Sequence, residues 1–498
     1  MRGKLKVFYV ATEVSPFART SDLGEVAGAY PKYLKNLGHD IRVMMPNYKS
    51  INERKFILRD VIRLQGLEIK LGDEVYVANA KSSFIPNSKV QIYFLDNKFF
   101  FDKEGLYFDS NTGLEFQDNA QRFLFFSIGC LETLKLLHWQ PDIIHCNDWQ
   151  TALIPLLLKS VYRDDPFFKN SKTLLSIHDL NLHGIFDSSV IKEIALLPDD
   201  YLAHSSAVKK GKFSFLRAGL EHADLLNTVS ETYAQEIQVD SEIGFGFESI
   251  FKKRKDELFG ILNGVDYEVW NPEVDRLIPQ TYDRTDLSGK QQNKRELLER
   301  FNLDFDDTTP VIGFISCSVD HQGLDLLTES LERLMQMDLQ LIVLGEGARK
   351  YHRILRDFQK KIPHKLAVEL KLDYKLTHLM MAGCDMYLMP SRFEPCGLHQ
   401  MYSLKYGTVP IVRETGGLSD SIKDFNSECT SGTGFVFRKY EPSALFQAID
   451  KAVKIFRDRD TWLKLIQKGM KQDFSWKTPV QKYVRLYQRL ISARNSKS

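Results

Sequence analysis

Short apolar runs of strand length recur along this chain, and most end on polar, chemically capable residues just ahead of a helical stretch. The first half holds LKVFYVAT (5–12), HDIRVMMP (39–46), PDIIHCND (141–148), KTLLSIHD (172–179), LNTVS (226–230) and ELFGILNGV (257–265). Strand, loop, helix and strand in succession open a βαβ unit, and strands buried on both faces read as near-continuous apolar runs. The pattern therefore predicts α/β layering around a parallel sheet. It also sets polar groups at the carboxyl ends of strands, where open parallel sheets form their ligand crevice. Residues 56–95 differ: alternation with turn signals predicts antiparallel or mixed edge structure inside the same domain.

From 271 to 310 the chain turns polar and reads as a connector with one helix. A second strand–helix alternation starts at VIGFISCS (311–318) and continues through 339–345, 365–370, 384–390, 408–414 and 432–438. With 498 residues the chain fits two large α/β domains, followed by an amphipathic helical tail.

The charge balance, 67 basic against 65 acidic residues for a net +2, removes the simplest argument for a nucleic-acid or membrane-surface partner. It leaves room for a small local anion site. No apolar run approaches the roughly 18 residues of a membrane span, and the opening run is too short for a signal sequence. Six scattered cysteines without a CxxC pair fit reduced thiols in a cytoplasmic protein.

Five loops carry the chemistry. The first βα loop, EVSPFARTSDLGEVAG (13–28), lacks GxGxxG but sets Arg19 ahead of a helix, where an anion is favoured. HCNDW (145–149) and HDLNLHG (178–184) bring His145, Asp148, His178, Asp179 and His183 to strand ends. These invite a metal reading, but no HExxH spacing is present, and hydrogen bonding to a hydroxyl-rich substrate fits them better. In the second half, SRFEPCGLHQ (391–400) puts Glu394 in a loop running into a helix, and RETGGLSDSI (413–422) gives a second Gly-rich turn. Two such turns on neighbouring strand ends suggest a phosphate-bearing donor.

Together these segments resemble the glycogen and starch synthase family of GT-B retaining glycosyltransferases, over nearly the whole length. EVSPFARTSDLGEVAGAYPKYL resembles the family's EVxPxxKxGGLxDVxxxLPxxL, HCNDWQTALIP its HxHDWxxxLxP, and SIHDLNLHGIF its THNLxxQGxF. NTVSETYAQEI, ILNGVDYEVWNP and FSWKTPVQKYVRLY have counterparts too, and SRFEPCGLHQMYSLKYGTVPIVRETGGLSDSI is nearly the family pattern itself. The resemblance implies an N-terminal, acceptor-side domain over 1–290 and a nucleotide-sugar domain over 300–475. The two would face each other across a deep cleft, with a helix over 476–498 crossing back to the first. It implies transfer of glucose from ADP-glucose to the non-reducing end of an α-1,4-glucan such as glycogen, with no metal or other cofactor.

Carried over by position, the resemblance makes Glu394 the carboxylate beside the donor glucose, with His178 near the reacting carbon and Asp148 near the sugar hydroxyls. Arg19 stands where the family has Lys, and Asn263 would hold substrate. Cys396, Gly397 and Leu398 would line the donor side, and Thr415, Gly416 and Gly417 would offer amides to the diphosphate. The departures are equally specific. Ser21 and Asp22 replace the glycines of KxGGL, and Glu25 replaces its later Asp. Where the family's SRLxxQKG supplies Arg and Lys to clamp the diphosphate, SCSVDHQG (316–323) has Cys317 and Gln322. A fixed cation on a departing anion is worth about 3–4 kcal/mol, and Gln offers only neutral donors. His321, Arg349 and Lys350 are the candidate replacements. The alternative expectation is a glucan-binding or regulatory paralogue with weakened or absent turnover.

Overall fold

The computed structural model describes residues 3–194, 197, 205–317, 320–426 and 431–495, and the chain divides into two compact units. Unit 1 comprises residues 1–229, 234–264 and 476–498; unit 2 comprises 230–233 and 265–475.

In unit 1 the described strands are β1 (Lys6–Val10), β2 (Asp40–Pro46), β3 (Arg59–Asp60), β4 (Leu67–Leu71), β5 (Glu74–Phe84), β6 (Gln91–Asp96), β7 (Ile143–Asn147), β8 (Lys172–Ile177), β9 (Ile185–Asp187), β10 (Val208–Lys209), β11 (Lys212–Ser214), β12 (Leu225–Thr228) and β13 (Leu258–Gly260). The main sheet runs β13-β12-β8-β7-β1-β2-β6-β5-β3, with β4 on β5, while β9, β10 and β11 form a small separate sheet. All neighbours from β13 to β6 are parallel, and β5 pairs antiparallel with β6, β3 and β4. The apolar runs are therefore the parallel core, buried on both faces, and the alternating stretch is the antiparallel edge. β4 alternates buried Leu67, Ile69 and Leu71 with exposed Glu68 and Lys70, as a half-covered strand must.

Unit 2 is built on β14 (Val311–Cys317), β15 (Gln340–Glu346), β16 (Leu366–Glu369), β17 (Met386–Met389), β18 (Val409–Arg413) and β19 (Phe435–Phe437), all parallel, in the order β16-β15-β14-β17-β18-β19. This is the doubly wound order 3-2-1-4-5-6, whose crevice opens where the order reverses, between β14 and β17. The matching reversal in unit 1 lies between β1 and β7.

Residues 265–290, which the family resemblance assigned to the N-terminal domain, lie in unit 2. Few residues hold them there. Trp270 is stacked between His378 (3.8 Å) and Tyr402 (3.9 Å), and Tyr282 donates its hydroxyl to Tyr406 O at 2.7 Å. Asp275 accepts from His378 Nδ1 at 2.7 Å and Tyr406 OH at 2.6 Å.

The C-terminal helix Lys477–Asn495 belongs to unit 1. Its Tyr487 closes a buried relay. Ser176 Oγ donates to Asn227 Oδ1 (2.7 Å), which leaves Ser176 Oγ to accept from His145 Nε2 (2.7 Å) and His145 Nδ1 to accept from Tyr487 OH (2.7 Å). Tyr30 OH then donates to Tyr487 at 2.7 Å. Tyr487→Phe strands both Tyr30 OH and His145 Nδ1, and is expected to cost about 2–4 kcal/mol in denaturant-induced unfolding. Among the described residues no helix is long and apolar enough to cross a membrane.

Candidate active site

Unit 1 gathers its polar residues at the β1/β7 reversal. After β1, the buried Glu13 carboxylate accepts from Thr20 Oγ1 (2.8 Å), Ser21 N (2.9 Å) and Ser21 Oγ (3.1 Å), folding loop 13–21 back on itself. Sequence reasoning missed Glu13, because its partners become neighbours only once that loop folds. Arg19 pairs with Glu25 on the following helix. Asp22 is exposed at the surface, yet its carboxyl is pushed up to about 6. Desolvation by surrounding protein leads; Arg19 opposes it, and the charges of Asp179 and Glu13 reinforce it.

Asp148 follows β7 in a left-handed conformation (φ 54°). Its Oδ1 accepts from the His178 amide at 2.6 Å. Burial pushes its carboxyl up to about 8, against the backbone bond from His178 and with the charges of Asp179 and Glu13. At neutral pH Asp148 is therefore largely protonated.

His178, at the end of β8, is buried, which holds its imidazole down to about 3 and keeps it neutral. Asn147 fixes the tautomer. Its Nδ2 donates to Val10 O (2.9 Å) and its Oδ1 accepts from Tyr9 OH (3.1 Å), so it accepts from His178 Nε2 as well (3.0 Å). Nδ1 is left as a bare acceptor, buried and without a partner in the protein. Asn263, beyond β13, is 1% exposed, and neither its Oδ1 nor its Nδ2 has a protein partner. A buried polar atom left unpaired costs about 1–3 kcal/mol, so such a group persists where a ligand or water answers it. Three such atoms sit on the carboxyl-end side of one sheet.

In unit 2 the loop after β17 carries Ser391, Glu394, Cys396 and Leu398, all buried. Ser391 Oγ donates to Glu394 Oε2 at 3.1 Å. The loop is locked to the turn after β18. Gly417 N donates to Glu394 O (3.1 Å), so that amide serves the loop pair rather than an outside ligand. Gly416 adopts φ 42°, and a Cβ there would lie 1.9 Å from Glu394 O; a Cβ on Gly417 would lie 2.0 Å from Cys396 O. Only glycine permits that approach. Thr415 is the buried residue before this turn. Gln400 Nε2 donates to Cys396 O (3.0 Å) and Gly397 O (2.9 Å), and Ser230 Oγ to Pro395 O (2.6 Å), fixing the other side.

At the β14/β17 reversal the loops touch. Arg392 N donates to His321 O at 2.7 Å, and the His321 ring stacks on Phe393 at 4.2 Å. Gln322 is half-buried in the short 3-10 turn Asp320–Gln322; the Cys317 side chain lies outside the described residues. Two cations that the sequence reading passed over lie here. Arg392 reaches Asp325 (3.2 Å) and covers the Tyr440 ring at 4.3 Å, while Arg413 donates to the backbone at Arg392 O and Arg438 O. Both stand inside the motifs already quoted, one residue after Ser391 and two before Thr415. Arg349 and Lys350 open the helix Arg349–Lys361 and are exposed. Among the described residues no group of three His, Cys, Asp or Glu is arranged to hold a metal.

Residues 6–253 match the family described as "Starch synthase catalytic domain", and residues 296–469 that described as "Glycosyl transferases group 1". The chain is 38% identical over 490 residues to a glycogen synthase of Chlorobium phaeobacteroides, covering 98% of this chain and 99% of the relative. It is 40% identical over 500 residues to a glycogen synthase of Thermotoga maritima, with the same coverage, 98% and 99%. Among solved structures it is similar to the catalytic domain of starch synthase IV from Arabidopsis thaliana bound to ADP and acarbose. The TM-score is 0.90 at 27% identity, covering 98% of this chain and 100% of that one.

Proposed function

This chain belongs to the glycogen and starch synthase family of GT-B glycosyltransferases, and from that premise we propose that it moves glucose from ADP-glucose to the non-reducing 4-hydroxyl of an α-1,4-glucan, with retention. The observation that carries the sugar-transfer reading is the set of unanswered buried polar atoms, His178 Nδ1 with Asn263 Oδ1 and Nδ2. They offer acceptors and a donor to a hydroxyl-rich ligand in a desolvated setting. The solved relative bound to ADP and acarbose supports a nucleotide-sugar donor and a glucan acceptor.

In this reading the acceptor hydroxyl attacks the anomeric carbon on the face from which the diphosphate leaves, and the departing phosphate takes the proton. Neutral His178 accepts from a sugar hydroxyl through Nδ1. Protonated Asp148 donates a hydrogen bond that a carboxylate has no proton to make. Glu394, with Ser391 fixing one oxygen, sets a negative charge where positive charge develops on the sugar. Cys396, Gly397, Leu398, Thr415 and Gly416 form the donor-side wall, with Gly417 as its lock. Incorporation of labelled glucose from ADP-glucose into glycogen tests the assignment. UDP-glucose in a parallel reaction tests the base. No incorporation from either donor at saturation would sink the enzyme reading.

Gln322 favours a second reading, a glucan-binding paralogue with slow turnover, because a neutral amide replaces a diphosphate cation. Cys317→Arg combined with Gln322→Lys is expected to raise kcat by about 10- to 100-fold if that charge limits the rate. An unchanged rate would mean that cations such as Arg392 and Arg413 already serve the leaving group.

A further inference from the structure

Away from the catalytic loops, unit 1 has a depression of about 350 Å³ at the amino-terminal ends of β8 and β12, the opposite edge of the sheet from His178. Lys159, Arg163, Lys169 and Lys172 surround it, against the single carboxylate of Asp224. That carboxylate is already engaged. Its Oδ2 accepts from Thr173 N (2.8 Å) and Thr173 Oγ1 (2.9 Å), and its Oδ1 lies 3.2 Å from Lys159 Nζ and 3.5 Å from Lys172 Nζ. Asp224 thus fixes two ammonium groups on the rim while cancelling only one charge. Arg163 and Lys169 are exposed and form no ion pair among the described residues.

One wall is aromatic. Phe168 packs edge-on to Tyr162 at 5.6 Å, and the Tyr162 hydroxyl is tied to Glu132 at 2.8 Å. A concave site with an excess of three positive charges over low-dielectric walls concentrates anions far more than the chain's net +2 suggests. Its volume is at the lower end of small-molecule sites, which run from roughly 300 to 1,000 Å³, and fits a small ligand.

We propose that this depression is a binding site for a phosphate dianion carried by a small metabolite, of the size of a sugar monophosphate. Lys159, Lys172, Lys169 and Arg163 hold the phosphate, and the Phe168–Tyr162 wall meets the body of the ligand. The site shares no residue with the catalytic assignment, so it stands or falls by direct binding, whatever the donor proves to be.

The test is calorimetric titration of the full chain at low salt with ribose 5-phosphate and, separately, inorganic phosphate. Saturable binding with a Kd of about 0.1–1 mM is expected, weakening at least tenfold in Arg163→Ser/Lys169→Ser. Tighter binding of the sugar phosphate assigns the wall to the sugar and supports the proposal. Equal or tighter binding of inorganic phosphate leaves the wall without a role and overturns the proposal of a metabolite site. In the unaltered chain the ligand is also expected to slow acylation of Lys159 and Lys169, a readout that needs no variant. Absence of saturation below about 10 mM, or a Kd that the double substitution leaves unchanged, overturns the proposal. So does lysine labelling that the ligand does not alter.

Discussion

Glu394→Gln is expected to lower kcat for glucose incorporation by about 10²- to 10³-fold while leaving the fold intact. The side chain is 8% exposed and contacts Ser391 Oγ at 3.1 Å, a bond that Gln accepts equally well. The larger structural role of this position lies in its backbone: Glu394 O takes the Gly417 amide and lies where any Cβ on Gly416 would collide. No side-chain substitution at 394 touches that lock. The substitution therefore removes a negative charge while keeping the Ser391 bond and the backbone lock, and separates electrostatic stabilisation from loop geometry. A fall in kcat with KM within a few-fold of the unaltered chain identifies an interaction made chiefly in the transition state. Turnover within threefold of the unaltered chain would remove Glu394 from the chemistry altogether. Glu394→Ala leaves Ser391 without its partner as well, so a larger loss there with the same thermal stability attributes the difference to positioning.

The parallel cores of both units were legible because strands covered on two faces have no freedom to alternate, and the edge at residues 56–95 was legible because its strands do. Candidate site positions were legible wherever topology alone places them: Asp148, His178 and Glu394 follow strand ends, and a doubly wound sheet opens there. Packing decided what remained hidden. Residues 271–310 look like a connector because the stretch is polar and poor in apolar periodicity, yet Asp275 and Tyr282, with Trp270 just before them, fix its start to unit 2. His145 looked like a substrate ligand. Its ring instead joins Ser176 to Tyr487, 342 positions away in the chain, a pairing no local pattern encodes. Arg392 and Arg413 were in plain view, but only the fold shows them beside the Tyr440 ring, near the loop where Gln322 stands in place of an expected cation.

Asp148→Asn is expected to stabilise the protein at neutral and alkaline pH while reducing its activity. A carboxyl near 4 in the unfolded chain and about 8 in the folded one keeps a proton in the native state that the unfolded state has released. Between those values the unfolded state binds fewer protons, so stability falls as pH rises from about 4 to 8. At pH 7 the full linkage amounts to about 4 kcal/mol; the side chain is only partly covered, so about 2 kcal/mol is the expected effect. Asn removes this titration. It also accepts from the His178 amide and tolerates the left-handed φ of 54° better than most residues. Buried His178 and His145 titrate in the opposite sense, losing stability as pH falls below about 6.5, but they are common to both proteins and cancel in the difference. Urea unfolding of the two proteins at pH 4.5 and 7.5 should give a difference near zero at the lower pH and about 2 kcal/mol in favour of Asn at the higher. Equal stability at pH 7.5 would mean that Asp148 folds ionised. Activity is expected to run the other way, since an amide N–H replaces the acidic O–H proposed to donate to the sugar, with a loss of about 10- to 100-fold. A gain in stability bought with lost turnover at one residue marks a group kept for chemistry rather than for folding.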